Sequence, residues 1–131
     1  MTTLRVAIGV VQVNGRILIC RRPITTRLGG YWEFPGGKCE PDESPVDCLR
    51  RELQEEVGLI VEPTQALAVI DYHYPNGPIR LYPFLCRVLS GKATALAADE
   101  LRWVTAKELF DYRFPPANDQ LLQLLASQAQ S

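Results

Sequence analysis

The sequence lacks the features of three broad classes of protein: those that bind nucleic acid polymers, those that span membranes and those that are secreted. Its net charge is only −1 at pH 7, so no broad positive field favours a nucleic acid polymer or an anionic membrane as a partner. No apolar run approaches the roughly 20 residues of a membrane span, and residues 1–13 lack the order of a secretory signal. We therefore expect a cytoplasmic protein that contacts no membrane and acts on a small molecule.

Histidine and paired cysteines are also scarce. His73 is the only histidine, which excludes a multi-histidine metal site and a His–His acid–base pair. The cysteines form no CxxC pair and lie in apolar or helical patterns. We therefore expect buried free thiols rather than zinc ligands or disulfides at Cys20, Cys39, Cys48 and Cys86.

The length and pattern of the chain predict one layered domain over residues 1–131. Asn14-Gly15 separates two β-branched runs and predicts a hairpin. Strands are expected over residues 6–13, 17–20, 61–74, 79–89 and 101–104, and a short strand or turn over 31–34. A helical turn is expected over 107–110 and a C-terminal helix over 119–126. Hairpins combined with two helices indicate an α+β or α/β domain.

The clearest helix begins after Ser44, which suits the N-cap, and ends before Gly58. Its apolar stripe comprises Val46, Leu49, Leu53 and Val57. Beside that stripe, three glutamates fall within an arc of about 100° around the helix axis, where a cleft can form at the edge of the core. They are Glu52, Glu55 and Glu56.

These three acids permit two interpretations. Glutamates are common on solvated helix faces, where they have no further role. Three close carboxylates also repel one another, and a divalent cation would remove that penalty. Hard oxygen ligands favour Mg²⁺, for which Mn²⁺ can substitute. The glycines at 36 and 37, which let backbone approach a ligand closely, favour the second interpretation.

Residues 37–59 resemble the Nudix box, G-x5-E-x7-R-E-U-x-E-E-x-G-U, in which U is apolar. Every specified position is matched, by Gly37, Glu43, Arg51, Glu52, Leu53, Glu55, Glu56, Gly58 and Leu59. This resemblance implies an α/β fold, an α/β/α sandwich with a mixed β-sheet between helices. It also implies hydrolysis of a nucleoside diphosphate linked to another group.

The same resemblance implies roles for individual residues. Glu52, Glu55 and Glu56 would bind metal, joined by the carbonyl oxygen of Gly37. Arg51 would orient these carboxylates together with Glu43, and Lys38 is a candidate phosphate contact whose alternative is a solvated loop lysine. One metal would polarise phosphate oxygens and another would lower the pKa of the attacking water.

Beyond the box, nearly the whole chain resembles the MutT branch, the 8-oxo-dGTP diphosphatases. The matching segments are Arg21-Arg22, residues 32–38 and residues 114–118. By this resemblance Arg22 and Asn118 would contact the oxidised base, and Phe34 would form a wall against it. Each has a plainer alternative: a surface charge for Arg22, a core aromatic for Phe34, and a helix cap for Asn118.

One position departs from the family pattern. Many members carry a glutamate six residues before the tryptophan of the next strand. Here that tryptophan is Trp103, and the corresponding position is Ala97, which cannot serve as an acid. Asp99 and Glu100 are nearby and leave the identity of a general base open.

The expected reaction is Mg²⁺-dependent hydrolysis of 8-oxo-dGTP to the monophosphate and pyrophosphate, which would clear a mutagenic nucleotide before DNA replication. One alternative is a Nudix enzyme for CTP, methylated dCTP or another nucleotide. Another is a binding domain that has lost catalysis, which the intact acids argue against. The number of metals stays open, as does the oligomeric state, for which a monomer is favoured.

Overall fold

The computed structural model describes residues 2–129 and places two α-helices against a large mixed sheet. The helices are α1 (Pro45–Val57) and α2 (Asp119–Ala129). The strands are β1 (Leu4–Val13), β2 (Arg16–Arg21), β3 (Trp32–Glu33), β4 (Gly36–Lys38), β5 (Ile60–Ala66), β6 (Ile70–Tyr74), β7 (Gly77–Ser90) and β8 (Glu100–Val104). Two short 3₁₀ segments, Lys107–Asp111 and Pro116–Asn118, precede α2.

Strand β1 is the centre of the sheet. It runs parallel to β7, with Leu4 opposite Ile79 at one end and Val11 opposite Cys86 at the other. Its first half also pairs antiparallel with β4. Its far end turns through the hairpin into β2, which lies between β3 and β8 in antiparallel pairing. Parallel and antiparallel pairs therefore occur in one sheet, as expected.

The two faces of the sheet carry separate hydrophobic clusters. On β1, Ala7 and Val11 face the cluster that contains α1, whereas Ile8 and Val10 face the cluster that contains α2. This follows from the two-residue repeat of a strand, which sends alternate side chains to opposite faces. The predicted α/β/α sandwich is confirmed.

Helix α1 has the predicted ends. The backbone N–H of Asp47 donates to Ser44 Oγ over 3.1 Å, and Gly58 closes the helix in the left-handed conformation with φ of 69°. Its buried residues are Cys48, Leu49, Leu53 and Val57. Val46, expected in the apolar stripe, is only half buried. Neither helix of the described chain is long and apolar enough to cross a membrane.

Three details differ from the sequence-based expectation. The run 61–74 is two strands, β5 and β6, separated at residues 67–69, and both pair with the 14-residue β7. Residues 36–38 form β4, a short strand that was not expected because Pro-Gly-Gly usually ends a strand. All four cysteines are free, but Cys39 is half buried whereas the other three are buried.

We predict that Leu49→Ala lowers the free energy of unfolding by about 2–5 kcal/mol, because Leu49 is fully buried on the side of α1 that packs against the sheet. The matched control is Leu89→Ala, whose side chain is 53% exposed and should cost little. Urea denaturation of both variants checks this. Equal loss in the two would contradict the packing described for α1.

Candidate active site

A cleft of about 690 Å³ lies where β4, the first half of β1 and the 114–118 segment meet. It brings together most of the residues expected to bind substrate or metal: Arg22, Phe34, Gly37, Lys38, Glu52, Glu56 and Asn118. Glu43, Arg51 and Glu55 lie beside it on α1 and the preceding loop. The acids therefore occupy one end of the cleft and Asn118 lies elsewhere on its wall.

Arg51 links the carboxylates at the acidic end. Its Nε and Nη2 donate to the two carboxylate oxygens of Glu43 over 2.7 and 2.8 Å, a bidentate pair. Its Nη1 donates to Glu52 over 2.8 Å and to Glu55 over 3.2 Å. Nη2 also reaches the Lys38 carbonyl over 3.1 Å. One guanidinium thus ties the helix to the loop that precedes it.

These bonds change the protonation of the pair. Hydrogen bonds from Arg51, reinforced by the backbone N–H of Glu40, lower the pKa of Glu43 to about 2. The same contact raises the pKa of Arg51 above its ordinary value. Both groups are therefore charged at neutral pH, and each favours the charged form of the other.

Glu56 has the opposite environment. It is partly buried beside the cleft, and burial raises its pKa to about 7, with further contributions from the negative charges of Glu33 and Glu52. The Gly36 N–H donates to Glu56 Oε1 over 3.0 Å and partly offsets this rise. Glu56 therefore loses its proton near neutral pH, and a nearby cation would stabilise its charged form.

Gly37 provides a close approach that no larger residue would allow. A Cβ at this position would collide with the Glu52 carboxylate, so the absence of a side chain lets Glu52 lie against the backbone of β4. The carbonyl oxygen of Gly37 accepts a weak hydrogen bond from Cys48 Sγ at 3.5 Å. The backbone of β4 and a carboxylate of α1 are thus in close contact at the acidic end.

The donors at this end fit a hard divalent metal in kind. Glu52, Glu55 and Glu56 share one side of α1, and the backbone of Gly37 lies against the Glu52 carboxylate. Within residues 2–129, no three acidic, histidine or cysteine side chains are gathered as a formed metal site. The reason is visible: Glu52 and Glu55 point to Arg51, and Glu56 points to the Gly36 N–H.

Phe34 and Asn118 line the same cleft. Phe34 is buried, contacts the Phe114 ring at 5.2 Å and also lines the cleft, so it is both a core residue and a wall. Asn118 is the one buried polar side chain among the described residues, at 8% exposure. Its Nδ2 donates to the Pro115 carbonyl over 3.3 Å. An N-cap requires the side-chain oxygen to accept, so this bond does not serve as a helix cap.

Arg22 is fixed rather than free. Its Nη1 donates to Glu33 Oε1 over 2.9 Å and its Nε donates to the Arg27 carbonyl over 2.8 Å. Burial raises the pKa of Glu33, whereas Arg22 lowers it. Sequence analysis gave Glu33 no role. Its position next to Phe34, in the Trp-Glu-Phe segment that resembles the MutT branch, is the one feature of the sequence that could have suggested a role.

A smaller cavity of about 180 Å³ adjoins the cleft and shares Arg22, Glu33 and Glu56 with it. The loop before β8 contributes Ala97 and Ala98 to this cavity. Glu100 instead pairs with Arg102 at 2.6 Å and with Arg21 at 3.6 Å, and Asp99 is exposed. The acids considered as replacements for the missing loop glutamate therefore lie outside the lining of both cavities.

Comparison with known proteins assigns the fold and the site to a family. The model of the NUDIX domain matches residues 3–125. The chain belongs to the Nudix family. It is 32% identical over 126 residues to the 8-oxo-dGTP diphosphatase of Escherichia coli (strain K12), which covers 95% of this chain and 98% of that protein.

Two further Nudix comparisons bear on the substrate and the fold. The chain is 32% identical over 123 residues to the CTP pyrophosphohydrolase of the same strain, covering 94% of this chain and 91% of that protein. The solution structure of the E. coli ORF135 protein superimposes with a TM-score of 0.84 at 30% identity, covering 100% and 93%. The prediction of a Nudix hydrolase that cuts a phosphoric anhydride is confirmed, and Nudix hydrolases of nucleotides generally need a divalent metal.

We predict that Glu56→Gln stabilises the metal-free protein at pH 8 but not at pH 5. The folded-state pKa of about 7 exceeds the ordinary value of 4.5, so the stability linked to protonated Glu56 is present below pH 4.5 and is lost as pH rises through 7. Glutamine resembles the protonated form at both values. Melting temperatures in a chelator at the two pH values test this.

The control for that measurement is Glu55→Gln on the same helix. Glu55 is 59% exposed at its side chain, so its replacement should change the melting temperature little at either pH. A Glu56→Gln variant that gains equally at pH 5 and pH 8 would contradict the assigned environment of Glu56.

We also predict that Asp99→Ala and Glu100→Ala each keep kcat/KM within about fivefold of wild type, because a general base must lie within hydrogen-bonding reach of the reacting groups. Neither side chain lines the two cavities beside Glu56. The measurement is pyrophosphate release from the preferred nucleotide. A loss of several orders of magnitude in one variant would assign an essential acid to this loop.

Proposed function

We propose that the protein hydrolyses 8-oxo-dGTP to 8-oxo-dGMP and pyrophosphate with Mg²⁺, and so removes a mutagenic precursor before DNA synthesis. The observation that carries this proposal is a single cleft with acids at one end and a buried asparagine on its wall. We place the enzyme in the cytoplasm, with the nucleotide pool, as a monomer of one domain that does not bind a nucleic acid polymer.

At the acidic end, Glu52, Glu55, Glu56 and the Gly37 carbonyl would hold the metal. Bound there, Mg²⁺, or Mn²⁺ in its place, would neutralise phosphate charge and lower the pKa of a bound water. Arg51 aligns Glu43 and Glu52 through its hydrogen bonds to both. Lys38 is exposed at the cleft and can meet a phosphate oxygen.

Away from the acids, the hydrogen-bonding groups of Asn118 match the oxidised base. Guanine presents two acceptors, O6 and N7, on one edge. Oxidation at C8 places a proton on N7, so this edge becomes an acceptor beside a donor. After its bond to Pro115, the amide of Asn118 still has one N–H and its oxygen for that edge. Arg22 and Phe34 line the same cleft.

A CTP-directed enzyme is the second candidate, because a relative of equal identity bears the name CTP pyrophosphohydrolase. A non-catalytic binding domain fits less well. A binding domain has no need for Glu52 and Glu55 held by Arg51 beside the cleft. A panel of 8-oxo-dGTP, dGTP, CTP and methylated dCTP, compared by kcat/KM, separates these candidates.

We predict that Asn118→Ala lowers kcat/KM for 8-oxo-dGTP about 10- to 100-fold and lowers it much less for dGTP, because one bidentate base contact is worth about 1–3 kcal/mol. Both nucleotides are measured on both proteins, alongside a melting curve. The prediction fails if the variant loses stability while the ratio between the two nucleotides stays unchanged.

A further inference from the structure

Tyr74 lines the cleft beside the segment that carries Asn118. It is the last residue of β6, and its side chain lines the cleft. Its hydroxyl oxygen accepts a hydrogen bond from the backbone N–H of Ala117 over 3.1 Å. Ala117 directly precedes Asn118, so this bond joins the sheet to the segment that carries the base-reading side chain.

The other hydrogen bonds of this segment are local. The backbone N–H and the side-chain Nδ2 of Asn118 both donate to the carbonyl of Pro115, over 3.0 and 3.3 Å. These bonds shape the turn but do not attach it to the sheet. The bond from Ala117 to Tyr74 spans 43 residues of sequence and does attach it.

Tyr74 is itself held in place. Its ring lies 4.7 Å from the ring of Tyr72, and the Arg27 guanidinium lies over its face at 5.5 Å. The Arg27 carbonyl also accepts the bond from Arg22 Nε. The residues that fix Tyr74 are thus connected to the second side chain expected to meet the base.

We propose that Tyr74 is a specificity-determining positioning residue, whose hydroxyl holds the Ala117 N–H and so sets where the Asn118 amide meets the base. The inference rests on the proposed function. Reading a donor beside an acceptor needs two simultaneous bonds, and a small displacement of the amide weakens both. Discrimination should therefore depend on the tether more than basal turnover does.

The test is Tyr74→Phe, which removes the hydroxyl and keeps the ring. We expect the ratio of kcat/KM for 8-oxo-dGTP to that for dGTP to fall roughly two- to tenfold, the effect of one lost hydrogen bond. The change should appear in KM for the oxidised nucleotide, with kcat close to wild type. A fall in kcat for both nucleotides, with their ratio unchanged, would overturn the proposal.

Tyr72→Phe is the matched control. Tyr72 lies on the same strand, is exposed, and is outside the lining of the cleft. Loss of its hydroxyl should leave the ratio unchanged. Equal effects of the two substitutions would show that general loosening of β6, rather than the bond to Ala117, alters selectivity, and would overturn the proposal.

A double-mutant cycle tests whether Tyr74 acts through Asn118. Once Asn118→Ala has removed the amide, adding Tyr74→Phe should not change the ratio further. An equal, additive loss in the Asn118→Ala background would mean that Tyr74 contacts the base by itself, which contradicts a positioning role.

Amide hydrogen exchange separates this inference from the proposed function. Tyr74→Phe should speed exchange at the Ala117 N–H and leave the centre of α1 unchanged, whatever the nucleotide. If the wild-type enzyme does not prefer 8-oxo-dGTP, the proposed function fails, and exchange at Ala117 still decides the tether. Unchanged exchange there would overturn the tether even in an enzyme with the expected preference.

Discussion

The guanidinium of Arg51 is the contact on which the rest of the acidic end depends. Like charges one turn apart destabilise a helix by about 0.2–0.5 kcal/mol per pair, and α1 carries Glu52 and Glu56 at that spacing. Arg51 offsets part of this repulsion by binding Glu52, Glu55 and Glu43 together. Its further bond to the Lys38 carbonyl fixes the helix against β4, where Gly37 approaches Glu52.

The sheet places this acidic end and Asn118 on the walls of one cleft. Pairing with β1 fixes β4 and β7, and the antiparallel pairing of β6 with β7 brings Tyr74 to the cleft. Charge changes along the same surface. Glu43 and Arg51 are charged at neutral pH, Glu56 loses its proton near neutral pH, and Asn118 is buried and uncharged. A phosphate chain and a base need surroundings that differ in this way.

The sequence predicted best what local chemistry decides. Ser44, Pro45 and Gly58 delimit α1 through bonds within a few residues, so its ends were correct. The break between β5 and β6 was missed because it depends on pairing with distant β7. The sequence could not predict the contacts of Glu33 and Tyr74, because folding brings Arg22 to one and Ala117 to the other. The direction of the hydrogen bond at Asn118, which argues against a helix cap, is likewise visible only in the folded chain.

We propose that the glutamates of α1, Glu56 among them, hold the metal that this Nudix pyrophosphohydrolase needs. The most direct measurement is product analysis of 8-oxo-dGTP incubated with the wild-type protein and with Glu56→Gln, each with Mg²⁺ or with a chelator. We expect one pyrophosphate per 8-oxo-dGMP from the wild type with Mg²⁺, none in the chelator, and a loss of orders of magnitude in the variant. Release of inorganic phosphate instead, or equal turnover by both proteins, would contradict the account.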